Sequence, residues 1–212
     1  MTLDSEHLLD SILQSMDRIK YIRPEDIPDI DLYMDQVTTF MDEELRQTTR
    51  HPGEDKILTK TMINNYAKNK LLPPPVKKKY TKEHMLLLIF IYYYKNVLSI
   101  GDIQALLNPI TEKYFGKEGD NHLESVYREV FSMEKLEIDR IKQDVKEQYR
   151  ISHDTFQDAD ESDAEFLKSF SFICMLSFDV YVKKLLIEKL IDGLNKDYGE
   201  DSTKKKSAKS KK

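Results

Sequence analysis

Met85-Leu-Leu-Leu-Ile-Phe-Ile91 constrains this chain more than any other segment. Thr81 precedes it as a candidate cap, and no glycine or proline interrupts it before Lys95. At roughly 100° per residue these side chains point in every direction, and a helix apolar all round belongs at the centre of a core. The apolar stretch from Met85 to Tyr94 is half the ~20 residues that a bilayer crossing needs. A buried helix in a soluble domain is therefore expected, with no membrane span. The chain has 212 residues, 40% hydrophobic and 33% charged, enough for a substantial core under a polar surface. Its six glycines and absent tryptophan, beside abundant Leu, Ile, Lys and Glu, favour a mainly helical protein.

Charge is unevenly spread. Lys56 to Lys82 holds eight lysines and no acid, and Ser202 to Lys212 holds six lysines and no acid. The remainder carries 19 basic and 38 acidic residues. A net charge of −5 thus averages over two basic islands on an acidic protein. The terminal island lacks apolar residues and reads as a disordered tail. The internal island is interleaved with apolar periodicity.

Amphipathic helices are expected over Asp4–Ile19 and Asp31–Thr49, with an extended, proline-marked linker between them and a loop at His51–Asp55. A short helix with Thr59 as its cap runs to Lys70. Leu71-Leu-Pro-Pro-Pro-Val-Lys-Lys-Lys-Tyr80 cannot be helical through its prolines and reads as an extended loop or small β-ribbon. After the apolar helix, Ser99 caps a helix expected to end before Pro109. Asn121–Tyr149 and Ala164–Tyr198 read as helical, joined by a polar, acidic connection, with a soft boundary near Gly116–Asp120.

On a helical wheel, Lys60, Thr61, Asn64, Asn65 and Lys68 fall in one arc of roughly 140°, opposite Met62, Ile63, Tyr66 and Ala67. Lysine and threonine suit phosphates, and an asparagine amide can pair in bidentate fashion with adenine in the major groove. Lys77, Lys78 and Lys79 follow as a candidate wing along the DNA backbone, anchored to the core by Tyr80. These eight polar residues form the expected double-stranded DNA site.

Leu58-Thr-Lys-Thr-Met-Ile-Asn-Asn-Tyr-Ala-Lys68, with Asp31-Leu-Tyr-Met-Asp-Gln-Val37 before it and Lys77-Lys-Lys-Tyr80 after it, resembles an uncharacterised bacterial domain-of-unknown-function family over roughly residues 25 to 130. More distantly, Thr59–Leu107 is similar to the MerR-type winged helix-turn-helix. The features that carry this are Tyr66 leading to Leu71-Leu-Pro73, Tyr80-Thr81 closing a wing, the apolar helix, and Leu98-Ser-Ile-Gly-Asp-Ile103. That resemblance implies a dimeric transcription regulator with a C-terminal region for dimerisation and effector sensing. The chain departs from the pattern in four places: Asn64-Asn65 replaces an arginine, Lys70 stands where glycine is usual, the loop between the helices is long, and the wing shows Lys78-Lys-Tyr80 in place of Gly-Tyr-Arg.

Other features carry less chemistry. His7, His51, His84, His122 and His153 are scattered and read as surface or core histidines rather than metal ligands. Cys174, the single cysteine, lies between Ile173 and Met175 and is expected to be a buried structural thiol in a reducing, cytoplasmic setting. The N-terminal sequence has no basic or apolar region of a secretory signal. Asp158–Asp163 reads as a solvated linker, and Tyr92, Tyr93 and Tyr94 are too widely spread in phase to form one stacking platform: two are expected in the core and one hydroxyl at the surface. No phosphate-cradling loop or nucleophile elbow occurs, so neither catalysis nor a cofactor is expected.

The expected architecture is all-α with a small wing: a winged helix-turn-helix, MerR-like core plus C-terminal helices. Its parts are an N-terminal helix (1–24), a DNA-binding domain (25–116), a helical dimerisation or regulatory region (117–200) and a disordered basic tail (201–212). The expected function is sequence-specific double-stranded DNA binding by a homodimeric bacterial transcription regulator, whose twofold would set two recognition helices about one DNA turn apart. The alternative is a helical protein–protein interaction module that ignores DNA.

Overall fold

The computed structural model describes residues 5–16, 22–117 and 122–209. The expected helix end at Ile19, part of the soft boundary and the last three tail residues lie outside that set. The described chain is mostly helical with one small antiparallel sheet. Its order is α1 (Ser5–Met16), β1 (Leu32–Tyr33), α2 (Met34–Leu45), α3 (Lys60–Lys68), β2 (Lys79–Tyr80), α4 (Lys82–Tyr94), α5 (Ile100–Tyr114), α6 (Leu123–Ser132), α7 (Glu134–His153) and α8 (Glu161–Lys209). No described helix is long and apolar enough to cross a membrane. Two compact units emerge, one of residues up to Ser132 with those from Ile191 onward, the other Met133–Leu190.

In the first unit α4 is the central element. His84 to Tyr92 is buried without interruption, as the all-round apolar sequence requires. Thr81 and His84 close its first turn reciprocally, the Thr81 N–H donating to Nδ1 of His84 at 3.0 Å. Val37, Met41 and Leu45 of α2, Ile63 and Tyr66 of α3, Ile103 and Leu107 of α5, and Leu123 and Tyr127 of α6 complete the core. The linker expected to be extended contains a 3-10 turn at Pro24–Asp26 and buries Ile22, Pro24 and Ile27. The buried Tyr127 hydroxyl donates to the Ile22 carbonyl at 2.8 Å, tying α6 to that linker. On the surface of the same helix, Glu124 accepts from Arg128 at 2.6 Å and lies 3.1 Å from Lys82. Thus α6 belongs to the first unit.

Two further elements differ from expectation. Helix α5 continues through Pro109 to Tyr114. Proline costs the helix the N–H bond to the Ala105 carbonyl. Ile110, Tyr114 and Phe115 meanwhile pack against the core and favour continuing the turn. Helix α8 runs to Lys209, so residues 201–209 are helical where an irregular tail was expected; no proline or glycine follows Gly199 to break the ladder.

The second unit consists of α7 and the part of α8 up to Leu190. Tyr149 meets Phe172 edge to face at 5.4 Å between ring centroids. Cys174, expected to be buried, is exposed. Its apolar neighbours in sequence mark a sticky face of α8, but two helices leave the outer side of that face uncovered.

Helix α3 ends in a Schellman motif. The Leu71 N–H donates to the Tyr66 carbonyl at 2.9 Å and the Lys70 N–H to the Ala67 carbonyl at 3.1 Å. Lys70 takes the left-handed position with φ of 59°. A glycine there carries no Cβ strain, so Lys70→Gly is expected to stabilise the fold by about 1 kcal/mol, read as a higher denaturation midpoint in urea.

Candidate nucleic-acid interface

The short helix α3 is amphipathic as its sequence dictates. Thr59 Oγ1 accepts from the Met62 N–H at 3.2 Å and starts the helix. Ile63 and Tyr66 are buried, Met62 and Ala67 half-buried. Lys60, Thr61, Asn64, Asn65 and Lys68 are all exposed along the other side. The burial of Tyr66 pushes its hydroxyl pKa up, in keeping with an anchoring role. The Lys60 ammonium pairs with Asp35 of α2, a link that crosses two elements and is invisible in local sequence. Both partners are largely exposed, so the pair is easily exchanged for another anion.

After α3 the chain dives inward at Leu71 and Leu72, follows Pro73-Pro-Pro75 and turns back. Val76 and Lys79 exchange two backbone hydrogen bonds, of 3.1 and 2.9 Å. Between them Lys77 and Lys78 sit at φ of 51° and 65°. Two successive positive φ values across a two-residue loop are the mark of a type I′ hairpin turn, a conformation that suits Asn-Gly rather than lysine. Lys77 and Lys78 are therefore exposed on the tip of a rigid turn. Lys79 is half-buried, its Nζ 5.3 Å from the Tyr33 ring centroid. The turn is braced from behind, because Leu32 pairs with Tyr80 and Tyr33 with Lys79 in the sheet, and Tyr80 is buried. Sequence reasoning placed Lys79 with the tip lysines; the ring of Tyr33, far away in sequence, holds it to the sheet.

Of the basic island, Lys82 is tied to Glu124 and Lys60 to Asp35. Lys68, Lys70, Lys77 and Lys78 pair with no acid among the described residues. Nearby Glu83 is engaged in accepting the Gly116 N–H at 2.8 Å. The arrangement offers a polar helix face and a cationic turn to an anion. Among the described residues no cluster of His, Cys, Asp and Glu could hold a metal. Tyr92 is buried, its hydroxyl 2.6 Å from Thr48 Oγ1, while Tyr93 and Tyr94 are half-buried, so none offers an open stacking platform.

His84 joins the turn to α4. Its ring meets Tyr80 and Phe115 edge to face, with centroids 5.5 and 4.9 Å apart. Burial holds its pKa below the ordinary 6.5, against the opposing pull of the Pro74 and Pro73 carbonyls and Asp31. A neutral Nδ1 is required to accept the Thr81 N–H. The fold binds this proton less well than the unfolded chain, so the stabilisation is complete above pH 6.5 and is lost as the pH falls from there through the lowered value of the folded state. The thermal midpoint is expected to drop as the pH falls below about 6.5. The slope should flatten in His84→Gln, which keeps an acceptor for Thr81.

No curated relative and no solved structure matches the chain. Residues 22–130, the span that carries α2, α3, the turn and the central helix, match the family model described as a domain of unknown function, DUF1836, and the chain belongs to that family.

Proposed function

We propose that the protein binds double-stranded DNA in a sequence-dependent way, as a bacterial transcription regulator. In this reading α2, α3 and the Val76–Tyr80 turn act as a winged helix-turn-helix, distantly MerR-like. The observation that carries it is the open Lys/Thr/Asn face of α3 followed by two exposed lysines held at positive φ on a braced turn. Strain of that kind is retained where the strained residues have work to do. Helix α3 enters the major groove. Asn64 and Asn65 meet base edges, Lys60, Thr61 and Lys68 hold phosphates, and Lys77 and Lys78, with Lys79 behind them, grip the flanking backbone. Asp35 releases Lys60 to a phosphate on docking. The long loop between α2 and α3 departs from a tight helix-turn-helix and sets how deeply α3 enters.

The test is selection of bound fragments from random duplex DNA, followed by fluorescence anisotropy on the enriched site. Asn64→Ala is expected to relax preference by about 1–3 kcal/mol at one base position and leave binding to unrelated duplex unchanged. A protein that retains no duplex at low salt refutes the reading. The open apolar side of α8 favours a second reading, a helical protein-interaction module; that module would ignore duplex altogether.

A further inference from the structure

We infer that the solvent-facing side of α2 is a docking groove for a short, extended, basic segment of another protein, with a bulky apolar side chain seated at one end and two cations along the rest. Two clefts lie along that side, of about 420 and 510 Å³. They share Thr39 and Glu43, so they form one continuous trough. It follows the face of α2 opposite buried Val37, Met41 and Leu45. One end is apolar: Ile30 is 65% exposed, with half-buried Pro28 and Phe40 beside it and buried Leu32 beneath. The other end lies between α2 and the loop of residues 53–59. Both banks are held in place. Buried Ile27 and Leu32 pin the first. On the second, Arg46 donates to the Pro52 carbonyl, Lys95 Nζ to the Ile57 carbonyl at 2.5 Å, and the His51 N–H to Asp55 at 2.9 Å. A groove already shaped costs little ordering when it is filled.

Charge selects the occupant. Five acids line the trough against two cations, Arg46 and Lys56. Arg46 is spent on Asp42, and Asp35 on Lys60. Glu43, where the clefts join, and Glu54, on the loop bank, pair with no cation among the described residues. Such a surface repels nucleic acid and acidic peptides. Among the described residues no acid cluster could hold a metal, so the cations are expected on a chain. That chain brings an apolar side chain too, since an ammonium group alone leaves Ile30 in water. Asp35 to Arg46 spans about 17 Å of helix, the reach of about five extended residues. Alternate side chains of an extended segment face the same way, about 6.6 Å apart. The expected pattern is therefore apolar-x-basic-x-basic, with the apolar residue beside Ile30, the first cation on Glu43 and the second toward Glu54. The apolar anchor fixes a register that charge alone leaves free.

The inference stands apart from duplex binding, since a protein that ignores DNA satisfies it. The test is fluorescence anisotropy of a labelled peptide, Gly-Leu-Thr-Arg-Thr-Arg-Gly, titrated with the full chain. Saturable binding is expected, with a Kd of about 100 μM. The reordered peptide Gly-Leu-Arg-Arg-Thr-Thr-Gly, of equal charge, is expected to bind roughly fivefold more weakly. Glu43→Lys is expected to weaken binding about tenfold and Ile30→Ser about fivefold. Both residues are exposed, so the urea midpoint should hold in each variant. In isotope-labelled protein the peptide should shift the Thr39 and Glu43 amide resonances. Removal of residues 201–212 should leave the affinity unchanged. No saturable binding up to about 1 mM overturns the inference. So does equal binding of the reordered peptide, which reads as unspecific charge attraction, or Glu43→Lys without effect. A gain in affinity on removing 201–212 also overturns it, since the trough then belongs to the chain's own lysine tail.

Discussion

Exchanging Lys77 for asparagine together with Lys78 for glycine is expected to make the protein more stable and a poorer DNA binder. The backbone between Val76 and Lys79 is closed by two hydrogen bonds and needs positive φ at both central residues. A lysine Cβ at such a position is strained by about 1 kcal/mol, while Asn-Gly fits the I′ turn without strain. The double exchange should gain about 1–2 kcal/mol, or roughly 2–8 °C in melting temperature for a chain of this size. Each ammonium that meets a phosphate contributes about 0.9 to the slope of log affinity against log salt. Losing two should lower that slope by about 1.8 and weaken binding to every duplex by tenfold or more. Lys79 stays in place, so the contact over Tyr33 and the sheet register are untouched. Urea denaturation and a salt titration on the same preparation read the two effects. If affinity holds while stability rises, the tip lysines do not touch DNA. If stability falls, the turn is held by lysine contacts rather than strained by them.

What was legible beforehand was whatever sequence neighbours decide among themselves. Thr59 and Ser99 cap the helices they precede by accepting from an N–H three residues on, and Thr81 opens α4 through its own N–H to His84. The wheel of α3 separated exposed Asn64 and Asn65 from buried Ile63 and Tyr66, because periodicity reports which face is apolar. Periodicity does not report whether anything packs on an apolar face, which is why Cys174 was expected inside and lies outside. The rule that proline ends helices is likewise local, and the packing of Ile110 and Tyr114 overrode it at Pro109. Partners remote in sequence were invisible altogether. Asp35 on Lys60, Tyr33 under Lys79 and Glu124 on Lys82 all bear on the candidate interface, and each needed the tertiary fold to be seen.

Leu86→Ala, Leu87→Ala and Leu88→Ala are each expected to cost about 3–5 kcal/mol, a large share of what a domain has to spare. The reasoning is geometric. Successive residues on a helix point ~100° apart, so three in a row sample most of its circumference. On an amphipathic helix one of the three would face water and tolerate truncation. Here all three are fully buried, with β2, α5 and α6 each packed against α4. Each truncation removes buried methyl groups and opens a cavity that a helix hemmed in on every side cannot collapse to fill. Leu136→Ala in α7, where the side chain is 75% exposed, should change stability by less than about 0.5 kcal/mol and serves as the control. The consequence reaches the candidate interface, because the first turn of α4 is locked through His84 and Thr81 to the end of the turn at Tyr80. Loss of α4 packing should therefore loosen the lysine turn before the chain unfolds globally, seen as faster amide exchange at Lys79 than at Ile63. Should any one of the three leucines prove dispensable in chemical denaturation, α4 has an open face and is not the centre of this fold.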